Sequence, residues 1–142
     1  MDAQAKSANS LAMGSFSRAD GTSSIAIGDR ADASSGGTAD VYGMAIGANT
    51  KAYAYSIALG AGANADQGGY TPLGGSVAIG SGAYVNGTGT IAIGSSATSN
   101  SLNAITLGVE SKAVGSYAVS VGNKSYAGNE RSVAIGHEAM AN

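Results

Sequence analysis

The sequence predicts an all-β protein: a parallel β-roll, or solenoid, of about nine 14-residue coils with two short strands in each. Three observations carry this. A five-residue unit (small, aliphatic, small, aliphatic, Gly) recurs nine times in 142 residues. The glycines that end it are 14, 19, 13, 20, 14, 14, 14 and 14 residues apart. A fixed period of that kind marks a stack of identical supersecondary units. Finally, no stretch sustains a 3.6-residue apolar stripe, and glycine returns too often for helix.

Each coil begins with the motif strand. Its two aliphatics, as in Ile25 and Ile27, are two residues apart and share one face of a strand. The opposite face carries Ala12, Ala26, Ala45, Ala58, Ala78, Ala92, Thr106, Ser120 and Ala134. A strand open to water there favours Thr, Lys or Glu, so small residues predict burial on both faces, as in a parallel sheet. The motif glycine supplies the positive φ of a corner. Two turn residues follow, such as Asp29-Arg30 or His137-Glu138. The second strand has small residues at its inward positions (Ala31/Ala33, Ala97/Ser99, Ser125/Ala127). Polar or large ones lie between them (Asp32, Lys112, Tyr126). Stacking at about 4.8 Å per coil gives a rod of roughly 40 Å.

The whole chain, 1–142, reads as a single domain, interrupted by insertions at 34–42 (SSGGTADVY) and 66–75 (DQGGYTPLGG). Insertions in solenoids collect on one face and carry binding. Tyr42, Tyr70, Pro72 and Leu73 are therefore the ligand-binding candidates, set against the reading of a tolerated surface loop.

One coil buries little apolar area against the ordering entropy of its residues, at about 1.5 kcal/mol each. A single roll looks too thin to stand alone. The small-residue face of the motif strand offers the missing burial, so Ala12, Ala26, Ala45, Ala58, Ala78, Ala92, Thr106, Ser120 and Ala134 are the candidate interface of a homotrimer, with the aliphatics in the core of the roll. Three rods around an axis are a natural cyclic closure.

Composition narrows the function. The chain has nine acidic and seven basic residues and no basic run, which argues against nucleic-acid binding. Cysteine is absent, which removes thiolate chemistry. No apolar run is long enough to span a membrane, so any membrane attachment is expected through an anchor outside this chain. Met1 ahead of a repeat under way by Ser10 suggests a piece of a larger protein.

No catalytic, metal-binding or cofactor-binding residue is expected. His137 is the only histidine, and Glu138 is expected on the opposite side of the chain. The aspartates are too dispersed for a calcium loop. The GxG strings at Gly60–Gly62 and Gly80–Gly82 lack the helix a phosphate site needs. A hexapeptide-repeat acyltransferase requires coils of 18 residues, and an ice-binding solenoid needs a flat threonine ladder. Neither fits.

The runs GSVAIG at Gly75–Gly80, TIAIG at Thr90–Gly94 and RSVAIG at Arg131–Gly136 resemble the YadA-like head of trimeric autotransporter adhesins of Gram-negative bacteria. The resemblance covers about Asn9 to Asn142. It implies a left-handed parallel β-roll assembled as a homotrimer at the bacterial cell surface, on the extracellular face of the outer membrane. It further implies non-enzymatic adhesion to a host extracellular matrix protein or to cells, and an outer-membrane anchor encoded elsewhere. A structural spacer of the adhesin fibre, without its own ligand, is the alternative.

Overall fold

The computed structural model describes residues 2–34, 42–66 and 75–142. They form two parallel sheets wound as one roll. The motif sheet has nine strands in chain order: Leu11–Met13, Ile25–Ile27, Met44–Ile46, Ile57–Leu59, Val77–Ile79, Ile91–Ile93, Ile105–Leu107, Val119–Val121 and Val133–Ile135. The second sheet has ten: Gln4–Ala5, Arg18–Ala19, Asp32–Ala33, Lys51–Ala52, Asn64–Asp66, Tyr84–Asn86, Thr98–Ser99, Lys112–Ala113, Tyr126–Ala127 and Met140–Ala141. The fold is the parallel β-solenoid of about nine turns that the period predicts.

Register is strict. Ile91 pairs with Val77 below and Ile105 above, and Ala92 with Ala78 and Thr106. The two insertions do not interrupt it: Ile25 pairs directly with Met44, and Ile57 with Val77. The stack therefore continues directly from Ile25 to Met44 and from Ile57 to Val77. The inserted residues 35–41 and 67–74, with the candidates Tyr70, Pro72 and Leu73, lie outside the described residues.

The core corrects the expected sense of the motif strand. Ala26, Ala45, Ala58, Ala78, Ala92, Thr106 and Ser120 are completely enclosed within the single roll, Ala134 nearly so, and Ala12 at the first coil is partly buried. They face Ala31, Ala33, Ala97 and their equivalents on the second sheet, not a neighbouring chain. Eight of the nine are therefore buried inside the roll, and only Ala12 at its first coil is partly exposed. The aliphatics, expected inside, point outward. The physical reason is room. Two-residue turns hold the sheets so close that only small side chains fit between them. Val85, followed by threonines and serines, is the largest fully buried side chain. The inward positions of the second strand are as expected.

A core of alanine and hydroxyl residues needs its hydroxyls partnered. Most bond within their own coil. Ser24 Oγ donates to the Gly21 carbonyl at 2.7 Å, Thr90 Oγ1 to Gly87 at 2.9 Å and Thr50 Oγ1 to Gly47 at 2.8 Å. These hydroxyls fasten the turn ahead of them. The two departures from alanine are likewise satisfied, Thr106 Oγ1 donating to the Thr98 carbonyl at 3.0 Å and Ser120 Oγ lying 2.7 Å from Ser125 Oγ.

Each coil has two turns, on opposite edges of the roll. An entry turn precedes the motif strand, and an exit turn follows its glycine. Their second residues adopt left-handed backbone conformations even when they are not glycine. Examples are Phe16 (φ 54°), Lys124 (φ 56°), Tyr117 (φ 60°) and Arg131 (φ 57°). Such φ values cost an L-residue roughly 1–2 kcal/mol. The stack compensates by continuing the hydrogen-bond ladder through the turns. Tyr117 N–H donates to the Leu102 carbonyl and Lys124 N–H to Val109, each at 2.9 Å.

Candidate functional site

The roll presents two faces and two edges. The outward face of the motif sheet is apolar over its whole described length. Two columns of Ile, Leu, Val and Met run from Leu11 and Met13 to Val133 and Ile135, and none of these side chains is buried. Exposure rises at the ends, reaching 69% at Ile135. An exposed apolar ladder of this extent marks an interaction surface.

The outward column of the second sheet is polar. It runs Arg18, Asp32, Lys51, Asn64, Tyr84, Thr98, Lys112 and Tyr126, each beside the next. Asp32 thus lies between two cations of alternate coils, and its carboxylate Oδ1 has no hydrogen-bond partner among the described residues. Tyr84 and Tyr126 lie on this column. Tyr55 and Tyr117 lie on the entry-turn edge.

Tyr42 is the one ligand candidate among the described residues. It is 53% exposed, and its ring centroid is 5.5 Å from that of Tyr55 at an interplanar angle of 44°. The pair borders an open recess of about 280 Å³, lined also by Ser23, Ile25, Gly43, Met44 and Ile57. The recess joins the entry-turn edge to the aliphatic face. Sequence reasoning did not pair Tyr55 with Tyr42, because its place opposite Tyr42 follows from the stacking of two coils and not from proximity in the chain.

The turn edges also carry charge. Arg30 lies over the Phe16 ring and Arg131 over the Tyr117 ring, both with 5.8 Å to the centroid. Each pair is one coil apart in the same turn column. Lys6 and Arg18 approach Asp20. His137 Nε2 is 3.9 Å from Glu138 Oε1, both in solvent. That corrects the expectation that Glu138 sits across the chain from it. Consecutive turn residues converge because the second is in the left-handed region. No cluster of three His, Cys, Asp or Glu able to hold a metal occurs among the described residues.

The YadA head domain repeat model matches residues 5–31, 74–97, 99–125 and 113–139. Among solved structures, the collagen-binding domain of the Yersinia adhesin YadA is similar, at 25% identity and a TM-score of 0.64. The match covers 89% of this chain and 69% of that one. No curated protein matches the sequence. With the repeat model covering well over half of the chain and the solved structure sharing the solenoid fold, the chain belongs to the YadA head domain repeat family, as an adhesin head.

Proposed function

We propose that this adhesin head acts as a homotrimer on the bacterial cell surface and attaches it to host extracellular matrix or to cells. The observation that carries the reading is the aliphatic face of the motif sheet. It is a continuous apolar ladder, nine rungs long, with no partner inside the roll. Covering it with copies of the same chain buries it and leaves the polar column of the second sheet outside. Three copies then present that column and both insertions three times, which multiplies weak contacts into firm attachment.

Tyr42, Tyr70, Pro72 and Leu73 are proposed as ligand contacts, because both insertions leave the roll at the entry-turn edge. The similarity to a collagen-binding domain makes a collagen triple helix the first ligand to test. Light scattering across a dilution series should give a species three times 13.6 kDa, and the same sample should bind immobilised collagen, fibronectin or laminin saturably. A persistent monomer removes the assembly reading. A trimer that binds none of the three favours the spacer alternative.

A further inference from the structure

Asn86-Gly87 is the one Asn-Gly step in the sequence. Asn86 ends the strand Tyr84–Asn86, one residue past the fully buried Val85, and is exposed on the outer face of the second sheet. Gly87 opens the turn Gly87-Thr88-Gly89, the only entry turn with two glycines among the described residues. Two glycines widen the range its backbone can reach. The Gly87 carbonyl is held, accepting from Ser76 Oγ at 2.7 Å and from Thr90 Oγ1 at 2.9 Å. Among the described residues, the Gly87 N–H and the Asn86 side-chain amide have no hydrogen-bond partner.

We propose that Asn86 is a self-modification site, converted by Gly87 to aspartate and isoaspartate on the outer face of the roll. The Gly87 backbone nitrogen attacks Asn86 Cγ. The N–Cγ bond forms, the Cγ–Nδ2 bond breaks, and the amide leaves as ammonia with the proton that Gly87 N–H gives up. Water then opens the five-membered imide. Opening at Cγ restores the normal backbone and leaves aspartate. Opening at the backbone carbonyl leaves isoaspartate, with the chain rerouted through Cβ. Water is the only co-reactant. Either product replaces a neutral amide with a carboxylate beside the polar column, so the outer face grows more acidic with age.

The other candidate steps are held back, each by a visible feature. Asn103 is followed by Ala104, whose N–H donates to the Ser101 carbonyl at 3.1 Å. Asn123 is followed by Lys124, whose N–H donates to Val109 at 2.9 Å, and Asn123 Nδ2 donates to the same carbonyl at 3.2 Å. A hydrogen bond that must open first slows the attack by about tenfold. Asn100 has the place of Asn86 in the next coil, but Ser101 follows it, and a Cβ on the attacking residue crowds the ring. Asp20-Gly21 has that place in an earlier coil. There Lys6 and Arg18 pair with the carboxylate, and an ionised carboxylate resists attack.

The test ages the folded protein in mildly alkaline buffer. Isoaspartate is labelled with protein isoaspartyl methyltransferase, and each asparagine is followed by tandem mass spectrometry. Asn86 should convert first, about tenfold ahead of Asn103 and Asn123. Isoelectric focusing should show an acidic species that grows with time and is missing from Asn86→Gln, whose longer side chain closes the ring poorly. Conversion at Asn86 no faster than at Asn100, Asn103 or Asn123 overturns the proposal. So does conversion of Asn86 only after urea unfolding, which would show that the fold locks the strand end.

Discussion

Ala92 and Ile93 are neighbours in sequence and face opposite sides of one strand. Ala92 is sealed inside the roll, and Ile93 is 38% exposed on the aliphatic ladder. The two positions should therefore fail differently. A glutamate at Ala92 places a carboxylate between two sheets with no room and no partner, a cost of several kcal/mol. Ala92→Glu should abolish the β-sheet signal in circular dichroism. Ile93→Glu should keep that signal and lose the oligomer in light scattering. A folded, monomeric Ala92→Glu would mean that the small-residue face is the interface after all.

Gly80 and Gly82 separate two reasons for glycine. A Cβ on Gly80 would sit 2.5 Å from the Gly94 carbonyl oxygen and 2.6 Å from its carbon, in a backbone at φ 128°. A Cβ on Gly82, at φ 65°, has the Ser96 Oγ at 3.8 Å as its nearest neighbour. Gly82→Ala should cost only the left-handed strain, about 1–2 kcal/mol. Gly80→Ala should exceed the about 1–3 kcal/mol of backbone strain, because it also pushes adjacent coils apart. Denaturant midpoints of the two variants would order them. Equal losses would show that stacking contact does not require the motif glycine.

Ser120 and Ser125 form a hydrogen-bonded pair at two inward positions that several other coils fill with alanine. Ser125 Oγ also donates to the Gly122 carbonyl at 3.0 Å, which leaves Ser120 as donor to Ser125. Ser125→Ala strands a buried hydroxyl and should cost about 1–3 kcal/mol. Ser120→Ala/Ser125→Ala matches the alanine pair of other coils, such as Ala26 and Ala31, and should recover most of that loss. A double variant as unstable as Ser125→Ala would locate the cost in the Gly122 turn instead.

The period, the two-strand coil and the inward Ala31 and Ala33 were legible because each rests on spacing or polar alternation. Asp32 between two alanines declares its own outward face. The motif strand carries no such marker. Ile25, Ala26 and Ile27 are apolar on both sides, so alternation cannot say which side is in, and side-chain size pointed the wrong way. The deciding quantity, the gap between sheets, is a property of the closed coil. Phe16 and Tyr117 in left-handed turns were illegible for a similar reason. Their conformation is imposed by hydrogen bonds to the neighbouring coil, such as Tyr117 N–H to Leu102, against their own preference.

The insertion between Asp66 and Gly75 gives the test closest to function. The strands on either side of it, Ile57–Leu59 and Val77–Ile79, already pair residue for residue, and Asn64 pairs with Tyr84. The stack thus needs only a normal turn at that point. Shortening the 20-residue step to 14 should leave the oligomer mass and the melting midpoint close to wild type, since loop length itself contributes little to stability. If Tyr70, Pro72 and Leu73 contact the ligand, the same deletion should abolish attachment to matrix-coated surfaces. Retained attachment with an intact trimer would move the binding surface to the polar column of the second sheet, where Lys112→Glu and Tyr126→Ala would then be the variants that lose it.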